Sequence, residues 1–156
     1  MILLQTFIQR FIEGFLADPE KNNLGPGTTA KAWEGFVLGF SDGADELYGF
    51  LKEHIGGFHW SPAEAFALGR PAAPAAVVES RGGGSDSADE TAALPSADRL
   101  TVVSWALCQT QAAKEANRAQ TRFPSEPWAR SRVFGQRFIR YLQKSLVKAL
   151  ALEGVA

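Results

Sequence analysis

Cysteine is almost absent from this chain: Cys108 stands alone in 156 residues, so no internal disulfide can form. Such usage fits a reducing, cytoplasmic compartment. Histidine is nearly as scarce, and His54 and His59 are the whole complement. A zinc centre needs about four Cys, His or carboxylate donors at suitable spacing, so no metal site is expected. A run of about 20 consecutive apolar residues, as a membrane span requires, is missing too. So are the positive start, unbroken apolar stretch and small-residue cleavage site of a signal peptide. No serine occupies a Gly-x-Ser-x-Gly elbow. The glycines of residues 25–31 have the wrong spacing to their lysine for a phosphate loop, and residues 82–85 lie in low-complexity sequence; both read as turn or linker.

What remains is ordinary globular composition, 46% apolar and 21% charged, at a length that suits one domain. The net charge of −1 conceals an uneven distribution. Residues 41–98 carry 3 cations and 10 anions, a net of −7, whereas residues 99–156 carry 10 cations and 3 anions, a net of +7. The two stretches either neutralise each other within the fold or leave one facing a charged partner.

Along the chain, Leu3, Leu4, Phe7, Ile8, Phe11, Ile12, Phe15 and Leu16 mark one face of a helix that begins at Ile2. It either docks on a core or meets a partner or membrane surface. Turn chemistry follows at residues 22–27. Residues 36–40 predict a short buried strand, closed by Ser41, Asp42 and Gly43, which also supply an N-cap. A helix is expected from about Ala44 to Ile55, with Gly56 as its stop. Ser61, Pro62 and Glu64 announce another through a capping box; it ends near Gly69. Residues 71–98 are rich in alanine, proline, glycine and acids and read as a flexible insert. The strongest strand signal is residues 100–107, and Cys108 behind it reads as an inert thiol. Ser125, Glu126 and Pro127 then open a long helix to about Leu152, with Gly154 just past its end. Strands separated by helices imply a helix-rich, layered α/β fold in one domain, and two strands make an incomplete sheet.

On the long helix, Arg130, Arg137, Arg140, Lys144 and Lys148 share a narrow sector beside an apolar one made by Phe134, Phe138, Leu142 and Leu146. The basic stripe is a solvated face, or it binds an acidic protein or nucleic acid. Arg132 projects away from it, towards Ile139 and Leu150, where a guanidinium snorkels to water or binds an anion.

Two stretches carry a family likeness. One runs over residues 35–41 and the helix after them to Phe58, His59, Trp60, Ser61 and Pro62. The other includes Val103, Ser104, Trp105, Gln109, Thr110, Asn117, Arg118 and the run of residues 123–135, FPSEPWARSRVFG. Together they resemble the amino-terminal region of epoxyqueuosine reductase-like and 4Fe-4S ferredoxin-type iron–sulfur proteins, relatives of cobalamin-dependent reductases including reductive dehalogenases. The resemblance covers most of the chain outside residues 71–98. It implies that this chain is the front part of a larger oxidoreductase. The cluster ligands of such proteins, a C-x₂-C-x₂-C-x₃-C-P run, lie downstream and have no matching positions here. Two departures stand out: Cys108 occupies a place where proline is expected, and the acidic insert is long. By this reading the chain holds no cofactor itself and is inactive alone. 4Fe-4S clusters, and cobalamin among the relatives, belong to the full-length family. The implied partner is a downstream iron–sulfur domain or another copy of the chain, with no membrane involved. Gln109 and Thr110, at the end of the main strand, are the residues expected to touch a substrate or corrin, because α/β folds place sites at strand ends. Arg118 and Arg132 are expected as anion contacts.

Overall fold

A computed structural model describes residues 2–69 and 96–155. Most of the expected flexible insert, residues 71–95, lies outside them; of its remainder, residues 97 and 98 belong to a single 3₁₀ turn, Ala97–Arg99. The described elements are α1 (Ile2–Ala17), β1 (Trp33–Asp42), α2 (Glu46–His54), α3 (Pro62–Gly69), β2 (Thr101–Gln109), α4 (Gln111–Arg118) and α5 (Glu126–Leu152). The strands form one two-stranded antiparallel sheet, so the fold is helix-rich α/β. The chain divides into two units. One comprises residues 1–38 and 105–156, the other residues 39–104.

In the first unit the inner part of the apolar stripe of α1 is buried, while Leu4, Phe7 and Phe11 are half-buried and Leu3 is exposed. Ile8, Ile12, Phe15 and Leu16 form the core with Phe138, Leu142 and Leu146 of α5, joined by Leu24, Ala32 and Ala113. The Phe15 ring meets Phe138 edge-on at 6.0 Å. Removing such a side chain costs about 3–5 kcal/mol. Beyond α1, Asp18 and Pro19 turn the chain: the Asp18 carboxylate accepts the Glu20 N–H at 2.9 Å. Asn22, 1% exposed, then ties the returning chain down. Its amide donates to the carbonyls of Leu16 and Trp33 (2.9 and 2.8 Å) and accepts the Trp33 N–H (2.9 Å).

The start of β1 is thereby fixed three residues earlier than expected. The Trp33 indole reaches α5 at Gly135, where an added Cβ would lie 2.5 Å from the ring. Gly25, at φ +90°, likewise lies under the Phe134 ring. α5 begins at Ser125, whose Oγ accepts the Trp128 N–H. It ends in a Schellman motif: Val155 N–H donates to Leu150 O and Gly154 N–H to Ala151 O, with Gly154 at φ +74°. One helix differs from expectation by its presence. α4 is short and polar, and Thr110 caps it, with Oγ1 accepting the Ala113 N–H at 3.3 Å.

The second unit is built differently. Among its described residues only Gly43 is buried. α2 is capped by Asp45, which accepts the Leu47 N–H, instead of by Ser41 or Asp42, because both of those remain in β1. α3 has the expected capping box: Glu64 accepts from the Ser61 N–H while its own N–H donates to the Ser61 hydroxyl. An ion pair between Lys52 and Glu64 joins α2 to α3.

Candidate functional site

Gln109 is the last residue of β2, and its amide is already engaged. Nε2 donates to Ser131 Oγ at 2.6 Å, and that hydroxyl donates to the Trp128 carbonyl at 2.7 Å. Ser131 is 1% exposed and Gln109 and Trp128 are half-buried, so this chain of bonds is partly buried where the strand end meets the first turns of α5. Thr110 spends its hydroxyl on capping α4. Directly beside it, Glu34 accepts the Gln111 N–H at 2.7 Å and pairs with Lys114 at 3.3 Å. The backbone donor, with the lysine behind it, holds the Glu34 carboxyl below its usual value against the opposing effect of partial burial.

The helix α4 leads to a polar concavity of this unit. Asn117, Gln120, Thr121, Arg122, Phe123, Pro124 and Trp128 line a shallow cleft of ≈ 270 Å³. Asn117 Oδ1 accepts the Ser125 N–H at 3.1 Å, which fixes the loop between α4 and α5. The Arg122 guanidinium lies over the Phe123 ring at 5.2 Å. Residues 123–135 therefore do three structural tasks: they cap α5, seal Ser131 against β2, and give the cleft its aromatic wall.

The two arginines expected to contact anions are separate from one another. Arg118 is exposed at the last position of α4, next to the cleft residue Asn117 without lining the cleft itself. Arg132 is exposed on α5, one position beyond the buried Ser131, and makes no hydrogen bond or ion pair to a described residue. Gln109 and Thr110 are thus neighbours at the strand end, and among the described residues no hydrogen bond or ion pair links Arg118 or Arg132 to them.

The basic stripe is also divided. Arg130 is withdrawn from it: Nε donates to Leu24 O at 2.7 Å, another nitrogen donates to Pro26 O, and a third pairs with Glu126 at 3.1 Å. This guanidinium is a staple for the loop after α1, a role that its position in a run of cations concealed. Arg137 stacks on Phe134 at 5.1 Å. Arg140, Lys144 and Lys148 stay exposed without a described polar partner, beside the exposed Val133 and Val147.

The second unit has an apolar concavity. Tyr48, Trp60, Pro62, Ala65, Phe66, Leu100, Thr101 and Val102 line ≈ 330 Å³, with the Tyr48 hydroxyl bonded to Ser41 at 2.8 Å. Phe58 (74% exposed) and Trp60 (64%) leave much aromatic surface uncovered. The Glu64 carboxyl is held at about 2 by the Lys52 ammonium first, then by the Ser61 N–H and hydroxyl. His54 is the last residue of α2, with Nδ1 3.1 Å from the Phe50 carbonyl. Cys108 lies within β2 and is half-buried. Among the described residues no three His, Cys, Asp or Glu side chains gather as a metal would require, and no helix is long and apolar enough to cross a membrane. No family model, curated protein or solved structure matches the chain.

Proposed function

We propose that this chain is the amino-terminal segment of an iron–sulfur redox protein of the epoxyqueuosine reductase-like kind. In that reading it contributes a wall of a substrate or cofactor pocket and leaves cluster binding to other residues. The observation that supports it is the part-buried link from Gln109 through Ser131 to the Trp128 carbonyl. It joins the two parts of the second resembling stretch, the end of β2 and the FPSEPWARSRVFG run, into one local frame beside a polar cleft. A frame of this kind positions a strand end, which is where α/β proteins receive ligands. The reacting group, an iron–sulfur cluster or a corrin, is supplied from outside the described residues.

The test is to extend the chain with the coding sequence that follows the codon for Ala156 and to purify the product without air. Bound iron and the visible absorbance of a cluster, both lost when the downstream cysteines are changed, support the reading. Downstream sequence without a cysteine motif, or an extended protein without iron, refutes it.

A second reading is favoured by the three unpartnered cations Arg140, Lys144 and Lys148 on the outer face of α5. Their mutual repulsion costs a few tenths of a kcal/mol per pair, which a partner would relieve. On this reading the chain is an interaction module for an acidic protein or a nucleic acid. Binding to a random-sequence duplex should then fall steeply with salt. A retention profile on such a duplex that ignores both salt and an R140E/K144E double change refutes it.

A further inference from the structure

A two-stranded antiparallel ribbon is marginal by itself, and each of its strands has one side without a strand neighbour among the described residues. Natural proteins guard such edges with charge, proline or bulges. The two edges differ sharply here. β1, WEGFVLGFSD, carries Glu34 and Asp42 near its ends and two glycines within it. β2, TVVSWALCQ, has no charge, no proline and no glycine in nine residues.

We infer that the 156-residue chain forms a two-fold dimer in which β2 pairs antiparallel with β2 of a second copy, giving a four-stranded sheet in the order β1-β2-β2-β1. A two-fold axis sets a surface against itself, so the same patch must suit both sides. An acidic strand would meet its own charge across such an axis, whereas β2 brings none. The free backbone groups of β2 are also identifiable. Gly43 N–H donates to Leu100 O at 2.9 Å, which places these two residues opposite each other with their polar groups facing inward. Counting from that pair along an antiparallel ladder, Val103, Trp105 and Leu107 direct their N–H and C=O groups away from β1. They are the groups that a second β2 would satisfy. Ser104 and Ala106 are small, exposed side chains on one face of the strand, where a cross-strand partner would meet them without crowding. The inference stands apart from the redox reading, which concerns the strand end and the cleft beyond it.

Light scattering on the chain over a range of concentrations tests the dimer. The expected result is a species of twice the chain's mass that dissociates on dilution. V103P removes one outward N–H and leaves the inward ladder alone; it should shift the mass to that of a single chain while the helical circular dichroism is kept. Should V103P lose that signal, A106K decides, because a two-fold axis sets the new lysines close together: loss of the dimer, restored by salt, supports the pairing. A monomer at all concentrations, open-ended aggregates, or a dimer unaffected by A106K overturns it.

Discussion

Gly135→Ala is a change that ordinary helix energetics would expect to be favourable. Position 135 lies inside the 27-residue α5, where alanine is preferred to glycine by about 0.8–1.0 kcal/mol. Here the added Cβ would lie 2.5 Å from Trp33 Cζ2 and 3.0 Å from Cε2. The indole is poorly placed to retreat, because the Trp33 backbone is held at both its N–H and its carbonyl by the buried Asn22. Overpacking of this kind costs about 1–3 kcal/mol, so the net expectation is a loss of up to about 2 kcal/mol. Urea unfolding followed by far-ultraviolet circular dichroism measures it without interference from the other three tryptophans. The cycle is completed in a Trp33→Leu background, where the obstructing ring is gone and Gly135→Ala should become stabilising by about 1 kcal/mol. A stabilising effect in the wild-type background, or the same loss in both backgrounds, would refute the contact as the cause.

Arg130→Ala should lower stability by about 2 kcal/mol through loss of its charged donors to Leu24 and Pro26, and Arg130→Lys should recover little because an ammonium lacks the planar fork; thermal unfolding of the two variants checks this. Asn22→Ala strands three backbone groups in a buried place and should cost about 3 kcal/mol by urea titration, with a change of less than 1 kcal/mol counting against the tie. The Glu64 carboxyl, held at about 2 in the folded chain against an ordinary 4.5, contributes stability that is present above about 4.5 and lost as the pH falls towards 2. Carboxyl-carbon NMR should find its midpoint well below the ordinary 4.5, and Lys52→Met should move it back up. Thr110→Val removes the cap of α4 and should cost about 1 kcal/mol, read as faster amide exchange at Ala113.

Much of the architecture is legible in the sequence because its signals are local. The three-and-four spacing of α1, the Ser125 cap and Gly154 stop of α5, the capping box at Ser61 and the β-branched run of β2 each depend on residues within a few positions of one another. For the same reason the helix-rich α/β class follows from the sequence pattern alone. α4 is not legible, because its eight residues offer only three alanines as an apolar face, too small a signal to mark a helix after a strand. The extra residues of β1 are not legible either, because Asn22 fixes its start from eleven positions away. The candidate site is less legible still. Nothing in the local sequence around Gln109 says that its amide is spent on Ser131, 22 residues on, or that Arg130 reaches back across more than a hundred positions to the loop after α1. Composition, periodicity and capping determined which segments became helices and strands, since backbone hydrogen bonding and side-chain spacing act over one or two turns. Which polar groups remain free to meet a ligand was decided only when distant segments packed, because a buried donor must find its acceptor wherever the fold has placed one.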